Sequence, residues 1–232
     1  MSETTPPKPS APLPAYSTLC ACLASTLDEL DVRAPPAPTS EHIVRHLQEL
    51  YRWNRRINLT GIRDWKEGLR RHAVEALEGW PWIEGLVGDA DTLLVDLGSG
   101  NGYPALPLLF AQPRLRGLLV ESSGRKCDFL NAVIRRNGVG ERVSCLHQRI
   151  ASPADIPSKA SIITMRAFPN PGEWIPRLLE EVKPDMLLAW LSRADGENLK
   201  EQLLTKHVDI KVCALRAHAT GVLLVTKRSR SR

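Results

Sequence analysis

The sequence predicts an α/β protein: a seven-stranded, mainly parallel sheet with helices on both faces, preceded by a helical extension. Three observations carry this. From about residue 91, short apolar runs alternate with segments of helical period, the pattern of βα units. The first run ends in an acid and then takes glycine at every second place, "LLVDLGSGNGYPALPLLF" (93–110), which reads as a strand turning sharply into a helix. The last two runs have no helical segment between them, so they should pair antiparallel.

Taken in order, residues 1–15 open "MSETTPPKPSAPLP", rich in Pro, Ser and Thr; such a segment buries no core and is expected to be a disordered tail. Residues 16–90 form a helical cap. Leu19, Leu23, Leu27 and Leu30 recur at helical spacing within 16–32. "RAPPAPTS" then breaks the helix, because proline blocks its continuation. Thr39 or Ser40 can cap a second helix, with Ile43, Leu47, Leu50, Tyr51 and Ile57 along one face. Asp64-Trp-Lys-Glu67 has capping-box form and starts a third helix running to about Trp80. Residues 91–228 form the sheet domain. Strands are expected at 92–97, 115–121, 143–148, 160–166, 185–191, 207–215 and 220–227. Helices are expected at 104–111, 124–138, 172–182 and 195–205. Residues 229–232 end the chain as a short, frayed basic tail.

A chain of 232 residues suits one good-sized domain, or one domain with a small appendage. Its formal net charge of +5 points to a polyanionic partner only where the cations cluster. Five cysteines, at 20, 22, 127, 145 and 213, form no CxxC pair. They read as reduced thiols, and no metal site is expected. Residues 1–15 carry no apolar leader segment, and no run approaches the ~20 apolar residues of a membrane span. A soluble, cytoplasmic protein away from membranes is expected.

Three ligands compete for the glycine loop. A P-loop needs GxxxxGK[ST], which is absent. A dinucleotide fingerprint needs a third glycine at position 103, which is Tyr103. What stands is Asp96-x-Gly98-x-Gly100-x-Gly102. S-adenosylmethionine suits it: the ligand has no phosphate, but it has an amino-acid end, a sulfonium and a nucleoside. Asp96 could receive the ammonium. Glu121, at the end of the second strand, is placed to accept from both ribose hydroxyls. Ser99, Pro104 and Ser122 stand on the same two turns. Arg149 and Ile150 follow the third strand, where the chain would pack on the adenine. The competing reading is an ordinary strand-loop-helix turn with a chance acid; an acid about 20 residues on, at the next strand end, argues against it.

Arg52, Arg55, Arg56, Arg63, Lys66, Arg70 and Arg71 face only Asp64 and Glu67, with Tyr51, Trp53 and Trp65 interleaved. Arginines pair with phosphates and aromatics stack on unpaired bases. Alone, the cluster reads equally as a solvated helix face. Beside a methyltransferase core, RNA contact is favoured.

Five segments carry a family resemblance over about residues 40–228. "WNRRINLTGIRD" (53–64), "RRHAVEA" (70–76), the glycine loop with Pro104 and Pro107, "ESSGRKCDFL" (121–130) and "TMRAF" (164–168) resemble the bacterial ribosomal small-subunit RNA methyltransferase G family, also called glucose-inhibited division protein B. The resemblance implies a class I, Rossmann-like methyltransferase that uses S-adenosylmethionine to methylate guanine N7 in 16S ribosomal RNA. It also implies a monomeric, cytoplasmic enzyme whose partner is that RNA or the small ribosomal subunit. Glu75-Ala76 departs from the family's Asp-Ser, Ala105 from a glycine, and Ser192-Arg193 from a Lys-Gly.

Guanine N7 has a free lone pair and no proton, so the reaction needs alignment rather than a base. Arg166, ending the fourth strand, is the candidate catalytic residue: it can stand beside the donor and hold guanine O6 or a phosphate. A structural salt bridge is the competing role. Phe168 and Pro169 can pack on a base. Asn58 is expected to fix the turn from helix to core. His72 and Arg193 join Arg52, Arg55, Arg56, Arg63, Arg70 and Arg71 as candidate RNA contacts. The alternatives are a methyltransferase of this fold acting on a small molecule or protein, and a non-catalytic binding module.

Overall fold

The computed structural model describes residues 13–36, 38–84, 86, 92–204 and 208–228. The expected disordered tail, up to residue 12, and the basic end 229–232 lie outside the described residues. The sheet comprises β1 (Leu93–Leu97), β2 (Arg116–Glu121), β3 (Val143–His147), β4 (Ala160–Arg166), β5 (Met186–Ser192), β6 (Val208–Ala214) and β7 (Gly221–Arg228). Their order is β3-β2-β1-β4-β5-β7-β6. Strands β1 to β5 run parallel, and β7 pairs antiparallel with both β5 and β6. The antiparallel pairing of the last two strands is as expected; the insertion of β7 between β5 and β6 had no sequence signal.

This order fixes where a ligand goes. After β1 the chain steps outward through β2 and β3, then returns to lay β4 on the other side of β1. The loops leaving β1 and β4 therefore diverge, and open parallel sheets bind ligands in that crevice, beyond the carboxyl ends of the strands. Central strands are apolar on both faces because helices cover both. Leu94, Leu106, Phe129 and the cap residues Leu19 and Leu47 share one core cluster. Val95, Ile163, Leu187, Ile175 and Leu199 form the cluster on the opposite face.

The cap begins with α1 (Tyr16–Glu29), which buries Leu19, Leu23 and Leu27. Next comes α2 (Thr39–Trp53), whose Ile43, Leu47, Leu50 and Tyr51 are buried. Thr39 is not a side-chain cap: its hydroxyl donates to the Phe110 carbonyl at 3.2 Å, stitching α2 to the sheet domain's first helix. Asp64 does cap α3 (Trp65–Gly68), accepting from the Glu67 N–H at 2.8 Å. The expected run to Trp80 is not regular. A π-helical turn (Leu69–Val74) precedes α4 (Glu75–Leu77), and α5 (Trp80–Glu84) follows a two-residue break. Such π turns add a residue and re-aim the side chains around them; here those are Arg71 and His72.

The sheet domain carries α6 (Ala105–Ala111), α7 (Gly124–Arg136), α8 (Pro171–Arg177) with a π turn (Leu178–Val182), and α9 (Arg193–Leu203). Buried Glu49 ties cap to sheet domain, meeting Arg52 at 2.6 Å and Arg136 of α7 at 2.5 Å. Glu78 accepts from the backbone N–H groups of Arg216 and Ala217 at 2.7 and 2.9 Å, so the β6–β7 turn is held to the cap. No helix among the described residues is long and apolar enough to cross a membrane.

Candidate functional site

At the end of β1 the three glycines have φ of +67°, +55° and +82°, the left-handed region that L side chains avoid. They do not do the same job. A Cβ on Gly102 would lie 2.5 Å from Leu106 and 3.1 Å from both His46 and Leu130, so this glycine serves packing. At Gly100 the nearest atom would be the Gly98 carbonyl oxygen, at 3.7 Å; its outer side is open. Gly98 lies under Phe168, whose ring would be 3.1 Å from a Cβ there.

Glu121 is buried at the end of β2, and both its oxygens are engaged. Oε2 accepts from the Gly100 N–H and Oε1 from the Ser123 N–H, each at 2.8 Å. The residue expected to read a ribose therefore also holds the crest of the glycine loop, leaving its remaining lone pairs to a ligand. Asp96 is 1% exposed. Its Oδ1 accepts from Thr164 at 2.6 Å, while Oδ2 has no hydrogen-bond partner among the described residues. Burial pushes its pKa up to about 6, against the hydrogen bond from Thr164. An unpaired buried oxygen is costly, and a cationic group set against it would relieve that cost.

The other expected donor contacts divide. Ser99 faces inward: its hydroxyl donates to the Asp96 carbonyl at 3.1 Å and its N–H to Val120 at 3.0 Å, so it braces the loop rather than a ligand. Pro104 is buried at the start of α6. Ser122 and Arg149 are exposed, and Ile150 packs partly against the second core cluster.

Arg166 ends β4, the strand beside β1. Its guanidinium is taken up by the cap. It donates to the Arg71 carbonyl at 3.0 Å and to His72 Nδ1 at 3.3 Å, and it pairs with Glu75 at 3.6 Å. The structural salt bridge, the competing role, is therefore present; among the described residues Arg166 makes no hydrogen bond or ion pair with the glycine loop, and its guanidinium lies 5.9 Å from the Tyr103 ring centroid. Burial works against its charge, and Glu75 and then Asp96 support it.

Because Arg166 can only donate, His72 Nδ1 carries a lone pair and its Nε2–H faces Thr60 at 3.0 Å. His72 is buried and its pKa lies well below the ordinary value, first through desolvation and then through Arg166. His72 stacks on Tyr103 at 5.1 Å, and Tyr103 stacks on His46 at 4.2 Å. His46 donates through Nε2 to the Asn101 carbonyl at 2.8 Å, and burial lowers its pKa to about 3. Two uncharged histidines thus clamp Tyr103, the residue whose presence excluded a dinucleotide fingerprint, and bind the glycine loop to the cap.

Beside this stack lies a recess of about 380 Å³, within the ~300–1,000 Å³ range of small-ligand sites. The cap gives it Ile62, Arg71, His72 and Glu75; the end of β4 gives Arg166, with Ala167 just beyond it; β5 gives Trp190, Leu191 and Ser192; the β6–β7 turn gives Leu215, His218 and Thr220. Ala167 has φ of +52°, a strained position for a residue with a Cβ. The kink leaves Arg166 on the recess and brings Phe168 over Gly98.

The expected RNA contacts fall in different surroundings. His72 is buried inside the stack. Arg71 is spent on Glu75, at 3.2 Å. Arg52 is exposed but paired with Glu49. Arg55, Arg56 and Arg70 are exposed, and Arg63 is half-buried next to Ile62 of the recess. Tyr51 is buried, its hydroxyl donating to the Asp64 carbonyl, so it is no stacking platform. Asn58 is exposed; the turn is instead held by Asn54, which accepts from Leu59 and Thr60 and donates to the Thr60 carbonyl. Ser192 caps α9 by accepting from the Asp195 N–H, and Arg193 is exposed on the first turn. Sequence reasoning missed His46, Tyr103, Trp190 and His218 as site residues, and took Glu75 only as a departure. They come from five separate segments, and only Tyr103 and Glu75 lie in segments that carry the family resemblance.

Residues 39–223 match the model of the family described as rRNA small subunit methyltransferase G. The chain belongs to that family. Among curated members of the rRNA small subunit methyltransferase G family, the protein of Stenotrophomonas maltophilia (strain K279a) is 40% identical over 129 residues, 56% of this chain and 56% of the relative. That of Chloroflexus aggregans is 42% identical over 120 residues, 49% of this chain and 47% of the relative. The chain thus spans about half the length of the curated relatives it matches. Among solved structures, the METTL16 methyltransferase domain superposes with a TM-score of 0.56 at 12% identity, covering 93% of this chain and 92% of that one. Precorrin-6y C5,15-methyltransferase of Geobacter metallireducens gives 0.52 at 14% identity, covering 74% and 91%. These likenesses bear out the class I methyltransferase fold.

Proposed function

We propose that the protein methylates N7 of a guanine in 16S ribosomal RNA with S-adenosylmethionine as donor. One observation carries the reading: a glycine cradle with an unpartnered buried carboxylate oxygen, Asp96 Oδ2, ends β1 at the switch point between β1 and β4, and a base-sized recess opens at the end of β4, the neighbouring strand. Membership of the family supports the substrate.

When bound, S-adenosylmethionine supplies an electrophilic methyl group on a sulfonium. Asp96 Oδ2 would hold its ammonium, and the free lone pairs of Glu121 would take ribose hydroxyls. The open side of Gly100 lets the backbone approach the ligand closely. The chain's remaining task is to bring N7 into line with the methyl group. Orientation of this kind can contribute roughly 7–11 kcal/mol. No proton has to leave N7. The two histidines at the site fit that demand, since both are held uncharged and spend their N–H groups on Asn101 and Thr60. Arg55, Arg56, Arg63 and Arg70, exposed or half-buried on the cap, would meet phosphates of the RNA flanking the target base. The partner is then the small ribosomal subunit or its RNA, met in the cytoplasm by a monomer.

The test is transfer of labelled methyl from S-adenosylmethionine to unmethylated small-subunit particles and to free 16S RNA, with nucleoside mapping. N7-methylguanosine at one position is the expected product. Label at another atom or base, or none on either RNA, would overturn the reading.

A further inference from the structure

We propose that Glu75 reads the Watson–Crick edge of the target guanine, accepting from N1–H and the N2 amino group within the recess between the cap and the ends of β4 and β5. This rests on the guanine reading above and deepens it.

The carboxylate has the right chemistry. Glu75 is 4% exposed yet lines the recess. Three cationic or cationisable groups face it: Arg71 Nε at 3.2 Å from Oε2, Arg166 Nη1 at 3.6 Å from Oε1, and His218 Nδ1 at 3.8 Å from Oε2. A glutamate carboxylate accepts hydrogen bonds through both oxygens. Among the described residues only Arg71 makes a hydrogen bond to this carboxylate. A carboxylate offers about four lone-pair sites, so acceptor capacity is left over. Guanine N1–H and N2–H₂ present two donors side by side, the counterpart of a carboxylate. Adenine and the pyrimidines do not offer that pair.

The placement also orders the base. Across the sheet run β1 with the donor loop, then β4 with Arg166, then β5 with Trp190. Glu75 stands over β5, because the Trp190 indole N–H donates to the Glu75 carbonyl at 2.9 Å. Around guanine the sequence of atoms is N7, O6, N1, N2. With N1 and N2 on Glu75 and O6 toward Arg166, N7 falls on the β1 side, where the donor methyl would be. The reverse orientation would set the carbonyl O6 against the carboxylate. Ile62, Trp190, Leu191 and Leu215 supply apolar walls for the flat base.

The experiment uses full-length protein and small-subunit particles reconstituted with RNA that carries guanosine or inosine at the mapped position. Inosine keeps N7, O6 and N1–H but lacks the N2 amino group. Native protein should prefer guanosine by roughly tenfold or more in kcat/KM. Glu75→Gln, which places an amide where a full acceptor stood, should lower turnover of guanosine RNA and collapse that preference, with donor affinity by calorimetry unchanged. Glu75→Asp should keep part of the preference. A merely structural role would slow both RNAs equally and leave the ratio intact, which would overturn the inference. Equal turnover of guanosine and inosine by native protein would overturn it too, while the guanine reading stands. No transfer to either RNA by native protein would overturn both. If Glu75→Gln does not fold, a native ratio of one still overturns the inference, and Glu75→Asp carries the positive test.

Discussion

The two halves of the site are built in opposite ways. The donor half is mostly local: Asp96, the glycines and Glu121 come from two consecutive strand ends, and the Glu121 contacts to Gly100 and Ser123 span at most 21 residues, with Thr164 alone reaching Asp96 from β4. The base half is assembled from afar: Arg166 reaches Arg71 across 95 residues, and Trp190 reaches Glu75 across 115. A local half imposes its glycines and acids on the sequence as a motif. A distant half leaves only scattered polar residues, which nothing but the fold gathers. The same difference separates the expected phenotypes: changes in the first should alter donor affinity, changes in the second should alter turnover and base choice.

The largest effect should come from Glu121→Ala. It leaves the Gly100 and Ser123 N–H groups without their acceptor, at about 1–3 kcal/mol each if they stay buried. Donor affinity should fall by roughly a hundredfold or more, read by calorimetry. Retained affinity would break the picture of a loop held by Glu121.

Next, the glycines should separate. Gly102→Ala places a methyl 2.5 Å from Leu106 at φ of +82° and should cost about 2–4 kcal/mol of stability in urea unfolding. Gly100→Ala meets no side chain and should lose only about 1–2 kcal/mol, while donor affinity drops at least roughly tenfold because the methyl enters ligand space. If Gly102→Ala were the milder change in stability, the packing role assigned to it would be wrong.

The pH dependence sharpens the donor half further. Asp96 has a folded pKa of about 6 against an ordinary 3.8. Between those values the unfolded chain is ionised while the folded one holds its proton. Stability of the free protein should therefore decline as pH rises from about 4 to 6, by up to about 3 kcal/mol, and be flat above. Donor binding needs the carboxylate, so affinity should rise about tenfold per unit as pH climbs toward 6, with proton uptake or release visible in different buffers. An affinity independent of pH over that window would remove Asp96 from the ammonium site.

The smallest effect concerns the rim. Arg55→Glu with Arg56→Glu should weaken RNA binding and flatten its dependence on salt by about 1–2 in log–log slope, leaving donor affinity alone. An unchanged slope would return this cluster to a solvated face.

Legibility follows the same division. Every strand was readable: the central β1, β4 and β5 are short apolar runs buried on both faces, while β3 and β6, only partly buried, were placed by the helical segments and turns around them; even β7 was found, though not its place between β5 and β6. The glycine loop and its two acids were readable because close backbone approach demands particular residue types. Burial was not readable. His72 and Arg71 sit among arginines in sequence, yet the π turn rotates them inward to Arg166 and Glu75. Asn54 and Asn58 are equally plausible turn residues by type, and only the fold buries the first. Tyr103 looked like a failed glycine; its ring is the link between cap and loop.

The division of labour itself is best tested by titrating S-adenosylmethionine into Asp96→Asn and Arg166→Lys side by side. The account predicts at least a roughly tenfold loss for Asp96→Asn, from one charge-assisted contact, and a change within about threefold for Arg166→Lys, whose partners lie in the cap. Equal losses in both, or intact affinity in Asp96→Asn, would contradict it.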